Sequence, residues 1–153
     1  MPRADFWSVF KAGVLAAGLT ATPSPACTVS TAGVAFGAYD ILNPAPHNGV
    51  GSISLVCFHR DRPEIAIGSG QWGSFTQRKM ANGNARLNYN LYTNASRTIV
   101  WGDGSNGTAT VSPSGVKSGS NRHYDVTVYG GMPAAQNVAA GTYGDVLFVT
   151  VIF

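Results

Sequence analysis

The chain has 153 residues, which fits one domain with little left over for linkers. Charged residues make up 11% of it, less than half the ~25% usual for soluble globular proteins, and the formal net charge is only +3. The basic residues from Arg60 to Arg122 are scattered with no run of four, so nucleic-acid binding has no support. Nineteen glycines and eight prolines, set among Val, Ile, Thr, Tyr and Phe, point to a turn-rich all-β chain.

Residues 1–26 read as an export signal. Arg3 and Lys11 mark a mixed basic start, Ala12 to Ala21 is a short apolar run, and Ser24-Pro25-Ala26 supplies small residues before Cys27. The run is about half the ~20 residues a spanning helix needs, so removal is expected rather than anchoring. Cleavage is expected after Ala21 or Ala26. Lipidation at Cys27 is disfavoured by Pro25 and by Ser24, which stands where a lipoprotein signal carries leucine. The expected organisation is a signal over 1–26 and one exported domain over 27–153.

Cys27 and Cys57 are the two cysteines, and in an exported chain an even count favours a disulfide with one possible pairing. Closing a loop of this length is worth roughly 3–4 kcal/mol in the chain-entropy picture. Two buried free thiols are the alternative, and a metal site would need more ligands than this pair.

From Cys27 onward no helical period lasts three turns, and strand signals recur between Gly, Pro, Asn and Asp. Thr28 to Phe36 is a first strand, bent near Gly33. Val50 to Phe58 follows a Pro-rich turn and sets Ile53, Leu55 and Cys57 on one face. Glu64 to Gly68 is short, and a Gly- and Ser-rich loop carrying Trp72 comes after it. Arg86 to Thr93 alternates, with Leu87, Tyr89 and Leu91 on one side and Asn88, Asn90 and Tyr92 on the other. Short strands are predicted at Thr98 to Trp101 and Thr108 to Ser112, and Arg122 to Tyr129 alternates through Tyr124, Val126 and Val128. About seven strands at these spacings predict an immunoglobulin-like two-sheet sandwich, with a barrel as the lesser alternative.

The last strand, Asp145 to Phe153, is apolar at both parities except for Thr150. Such a strand lies covered above, below and alongside. It ends the sequence, so no later strand can pair with it, and an open apolar edge invites aggregation. Either an earlier strand covers it or another polypeptide does.

Catalytic readings fare poorly. Gly68-Ser-Gly70-Gln-Trp-Gly73 satisfies G-x-G-x-x-G, but no helix follows it and no acidic residue stands between Glu64 and Asp103. Ser114-Gly-Val-Lys117 has the S-x-x-K form without its companion motifs. His47, His59 and His123 stand in no metal or triad spacing, and His123 is expected to face solvent. Asp40, Asp103 and Asp145 sit beside Gly or Tyr at strand ends, where carboxylates stabilise turns. Tyr89 and Trp101 are expected in the core, while Trp72 is the candidate for exposed surface contact. The chain is read as a non-enzyme that needs no cofactor and no metal.

Several segments together are familiar: Cys27-Thr-Val-Ser, Val34-Ala-Phe-Gly-Ala-Tyr39-Asp40, Leu87-Asn-Tyr-Asn-Leu-Tyr92-Thr, Val100-Trp101-Gly-Asp103-Gly, Val128-Tyr-Gly-Gly-Met-Pro133 and Gln136-Asn-Val-Ala-Ala-Gly141-Thr-Tyr143-Gly-Asp145. In this order the chain resembles the spore coat protein U family, which includes subunits of Csu-type archaic chaperone–usher pili. The resemblance implies an incomplete sandwich lacking its last strand, completed by donor-strand complementation. A periplasmic chaperone lends the strand first, and a neighbouring pilus subunit replaces it after delivery to an outer-membrane usher. Val146, Leu147, Phe148, Val149, Val151, Ile152 and Phe153 would then form one wall of the acceptor groove.

One departure stands out. Cleavage after Ala21 leaves only Thr22-Pro-Ser-Pro-Ala26 before the first cysteine, and two prolines in five residues cannot supply a donor ladder. The expectation is a subunit that accepts a strand without giving one, at a fibre terminus or tip, where it contacts an abiotic or host surface in adhesion or biofilm growth. The alternative is a stand-alone secreted spore-coat or biofilm-matrix protein of the same fold.

Overall fold

The computed structural model describes residues 27–58 and 62–153 in full and the backbone of residues 4–13; every regular element among them is a strand. In chain order these are β1 (Ala4–Gly13), β2 (Thr28–Tyr39), β3 (His47–Phe58), β4 (Glu64–Ile67), β5 (Arg78–Asn82), β6 (Ala85–Tyr92), β7 (Val116–Ser118), β8 (Asn121–Met132) and β9 (Tyr143–Ile152). No helix among the described residues is long and apolar enough to cross a membrane.

The antiparallel run β2-β3-β8-β6 forms one layer, and β4-β9-β1 forms the facing one. β5 pairs with β6 as a hairpin and touches β9 where Ala81 meets Gly144. β7 adds to β8 over three residues. The two layers enclose one core, to which Ile53, Leu55, Leu87, Tyr124 and Val128 contribute from the first and Ile65, Ile67, Leu147, Val149 and Val151 from the second. This is the immunoglobulin-like arrangement, with inward residues recurring at every second position of each long strand.

Period-two alternation explains the long strands. In β3 the inward set Ile53, Leu55 and Cys57 is fully buried, and in β6 Leu87, Tyr89 and Leu91 are equally covered. The bend expected near Gly33 is a register shift between Ala32 and Ala35 in the β2–β3 ladder. Close packing of β2 on β8 depends on Gly130, because a Cβ there would press into the Phe36 ring and Val34 Cγ1 at 2.6 Å.

Some expectations change. Thr98 to Trp101 and Thr108 to Ser112 are irregular segments held by isolated bridges, Tyr92 to Val100, Trp101 to Ala109 and Ile65 to Val111. β5 and β7 were not foreseen. Asn90 turns inward despite its parity. β9 is covered on one face only: its odd-numbered residues are buried, whereas Phe148 is 62% exposed and Ile152 is 48% exposed.

Candidate functional site: the slot between β2 and β9

β9 is the strand on which the site is built. On one side it pairs with β4, from Glu64 opposite Ile152 to Ile67 opposite Val149. Its other edge faces no strand drawn from the described residues of 27–153. β2 is similar: one edge pairs with β3 from Thr28 opposite Val56 to Ala35 opposite Val50, and the other meets none of the later strands. The fold of 27–153 therefore leaves two backbone edges facing a common slot. Unpaired N–H and C=O groups along such edges demand partners.

The slot is filled by β1. Phe6 to Gly13 runs parallel to β9 from Tyr143 to Thr150, and Ala4 to Trp7 runs antiparallel to β2 from Tyr39 to Ala35. β1 thus bridges the two layers. It comes from the first half of the stretch read as an export signal; the rest of that stretch, including most of Ala12 to Ala21, lies outside the described residues.

Both walls are pinned from behind. The Cys27–Cys57 disulfide ties the start of β2 to the end of β3, with 4.2 Å between the Cα atoms. At the other end of β2 the buried Tyr39 hydroxyl donates to Pro133 O at 2.7 Å and accepts from Gln136 N at 3.0 Å. Gln136 in turn bridges Asn88, accepting from its N–H at 2.8 Å and donating to its carbonyl at 2.9 Å. The connection from β8 to β9 is thereby fastened to β2 and β6 together.

β9 is held through Asp145, which is 2% exposed. Its carboxylate accepts from the Tyr89 hydroxyl at 2.7 Å and from Gln71 N at 3.0 Å. The Gly-rich loop 68–73 closes over it, and Gly70, at φ +85°, lies so near that a Cβ would overlap Asp145 Oδ2. The G-x-G-x-x-G spacing thus serves a backbone approach to a carboxylate of the same chain. Arg78, fully buried, donates to Gly68 O at 2.8 Å, Trp101 O at 2.7 Å and Asn90 Oδ1 at 2.6 Å. Burial pushes its pKa down to about 10, with Tyr89 and Asp145 acting in the opposite sense. Neither Arg78 nor Asn90 was singled out in the sequence; the available signal was the shared parity of Arg78 with buried Met80.

The remaining expected residues fall as follows. Of the β9 group, Leu147, Val149 and Val151 point into the core, Val146 is half-buried, and Phe148, Ile152 and Phe153 reach solvent. Trp72 is 48% exposed, with the Arg86 guanidinium 4.2 Å from its ring centre. Trp101 and Tyr89 are core residues. Asp40 and Asp103 accept from backbone N–H groups two residues on, at Leu42 and Ser105. The Ser105 hydroxyl, which also donates to Asp103 Oδ1, and then the Ser105 N–H hold the exposed Asp103 carboxyl below the usual carboxylate range. His47 bonds to Phe36 O, His123 is exposed, and His59 lies outside the described residues. Among the described residues no three His, Cys, Asp or Glu side chains gather as metal ligands.

The fold and slot define an all-β domain of immunoglobulin-like type whose own strands stop short of closing the sandwich. The chain belongs to the Spore Coat Protein U domain family, whose model matches residues 14–150. It is 33% identical to Protein U of Myxococcus xanthus over 77% of this chain and 70% of that one. Among solved structures it resembles the chaperone–tip adhesion subunit pre-assembly complex, CsuC–CsuE, from archaic chaperone–usher Csu pili of Acinetobacter baumannii. The TM-score there is 0.55 at 22% identity, over 84% of this chain and 40% of the matched chain.

Proposed function

We propose that this protein is an exported, non-catalytic subunit of a chaperone–usher surface fibre, whose slot between β2 and β9 accepts a β-strand from another polypeptide. One observation carries the reading: residues 27–153 fold with two backbone edges facing one slot, and the strand occupying it comes from outside that domain. Strand addition supplies affinity through main-chain hydrogen bonds, and alternate side chains fix register. Residues 1–26 are removed on export, which empties the slot for a periplasmic chaperone and then for a neighbouring subunit. The likeness to a subunit solved with its chaperone supports this order of partners. With Thr22-Pro-Ser-Pro-Ala26 unable to form a donor ladder, the processed subunit accepts without giving and sits at a fibre terminus or tip.

The test is expression in a periplasm with and without the cognate chaperone, with the mature N-terminus read by mass spectrometry. Soluble protein starting at residue 22 or 27 should appear only with the chaperone bound. A second reading, a stand-alone secreted coat or matrix protein, is favoured by the 33% identity to Protein U and by the filled slot of the intact chain. Chaperone-independent, soluble, monomeric protein would select it.

A further inference from the structure

We infer that in the unprocessed chain Ala4–Gly13 closes the slot in cis, and that its removal is the step that opens the acceptor to any other strand. This rests on the reading of the slot as a strand acceptor. The pairing is extensive: eight successive residues of β1 stand opposite β9, and four stand opposite β2. A strand shared between both walls satisfies the two edges that residues 27–153 leave open.

Direction and reach make the closure intramolecular. β1 runs antiparallel to β2, so its Gly13 end is directed toward the end of the slot where β2 begins at Thr28. Thirteen residues separate Gly13 from Cys27. Thirteen residues can reach at most about 45 Å, ample for a return from the end of one strand to the start of its neighbour. Tethering on that scale gives an effective concentration in the millimolar range, so a free strand of equal affinity supplied at about 10 μM competes at roughly a hundredfold disadvantage.

The experiment uses the full chain carrying a sequence-specific protease site between Gly13 and Cys27, folded with the disulfide closed. Hydrogen exchange is followed at the Val146 to Thr150 amides before cutting, after cutting and dilution, and after adding a synthetic peptide of residues 4–13. Cis closure predicts slow exchange before cutting, exchange at least about tenfold faster afterwards, and protection restored by the peptide. Aggregation on cutting that the peptide prevents counts as the same result. Exchange unaltered by cutting overturns the inference. So does a donor peptide from a partner subunit that binds equally well before and after. A cut protein that regains protection with residues 4–13 but takes neither chaperone nor partner strand leaves cis closure standing and removes the acceptor reading instead.

Discussion

Tyr89 donates its phenolic hydrogen to Asp145 Oδ2 across 2.7 Å, joining β6 to β9 inside a core that leaves Tyr89 1% exposed and Asp145 2% exposed. The bond matters to the slot because Asp145 sits on the wall strand, opposite Ser8 of β1. Tyr89→Phe keeps the ring and leaves the carboxylate short of one donor. The expected loss is about 1.5–3 kcal/mol, as for a buried hydrogen bond to a charged group. Gly70→Ala attacks the same carboxylate from the loop side, where positive φ and overlap with Oδ2 act together. It should cost about 2–4 kcal/mol. Urea denaturation of the full chain reads both; a Gly70→Ala protein as stable as the parent would show that the loop is free to move away from Asp145.

Arg78 is the deepest charge in the molecule among the described residues, and its guanidinium organises Ile67, Gly68, Asn90 and Trp101. With a pKa of about 10, well below that of a free guanidinium because of its burial, it stays charged through the neutral range. The unfolded chain binds that proton more tightly, so the shift opposes folding below pH ~10 and relaxes only as pH rises above that. Hydrogen bonding to three carbonyls outweighs this. Arg78→Met should destabilise by about 3–5 kcal/mol, since it strands those carbonyls and leaves Asp145 without its nearby positive charge. Arg78→Lys should fall between, because an ammonium cannot span the same acceptors. A Met variant equal to Arg in thermal and urea melts would reduce the network to mere packing.

Arg78 and Asn90 show what could be read from the chain and what could not. Ile53, Leu55 and Cys57 in β3, and Leu87, Tyr89 and Leu91 in β6, announce their inward face through alternation, and that is enough to place the first layer. Alternation fails where polarity and burial part company. β5 begins with a buried arginine, so its five residues read as loop, and Asn90 reads as outward although it turns in to receive Arg78. Phe148 and Ile152 err in the other sense, being apolar and exposed. β9 itself is legible as a strand in need of a neighbour. That Phe6, Trp7, Val9 and Phe10 would stand beside it is not, because an export signal and a buried strand draw on the same apolar residues.

Reduction of the Cys27–Cys57 bond should act on the β2 wall. The closed loop spans a separation of 30 residues, and opening it should lower stability by roughly 3–4 kcal/mol through the regained entropy of the unfolded chain. Cys57 is fully buried, so a Cys27→Ala, Cys57→Ala pair is the cleaner variant than serine. Because Thr28 to Ala32 pairs with β3 directly beyond the bond, the start of β2 should also exchange its amides faster. A melting temperature indifferent to reductant would mean that the pairing with β3 alone fixes this wall.

Trp72 separates a structural role from a contact role. Its ring is half in solvent and stacks on Arg86, whose guanidinium also donates to Gly83 O at 2.7 Å in the β5–β6 turn. An exposed cation–π contact of this kind is worth about 0.5–1 kcal/mol, so Trp72→Ala should leave the fold almost untouched. If the Gly-rich loop meets a surface at a fibre end, the same change should sharply reduce attachment of assembled fibres to hydrophobic plastic or to cells, with fibre length unaltered. Arg86→Ala supplies the control, since it removes the stacking partner and keeps the indole. Attachment that survives Trp72→Ala undiminished would take Trp72 out of the contact surface and leave it as a loop residue packed on Arg86.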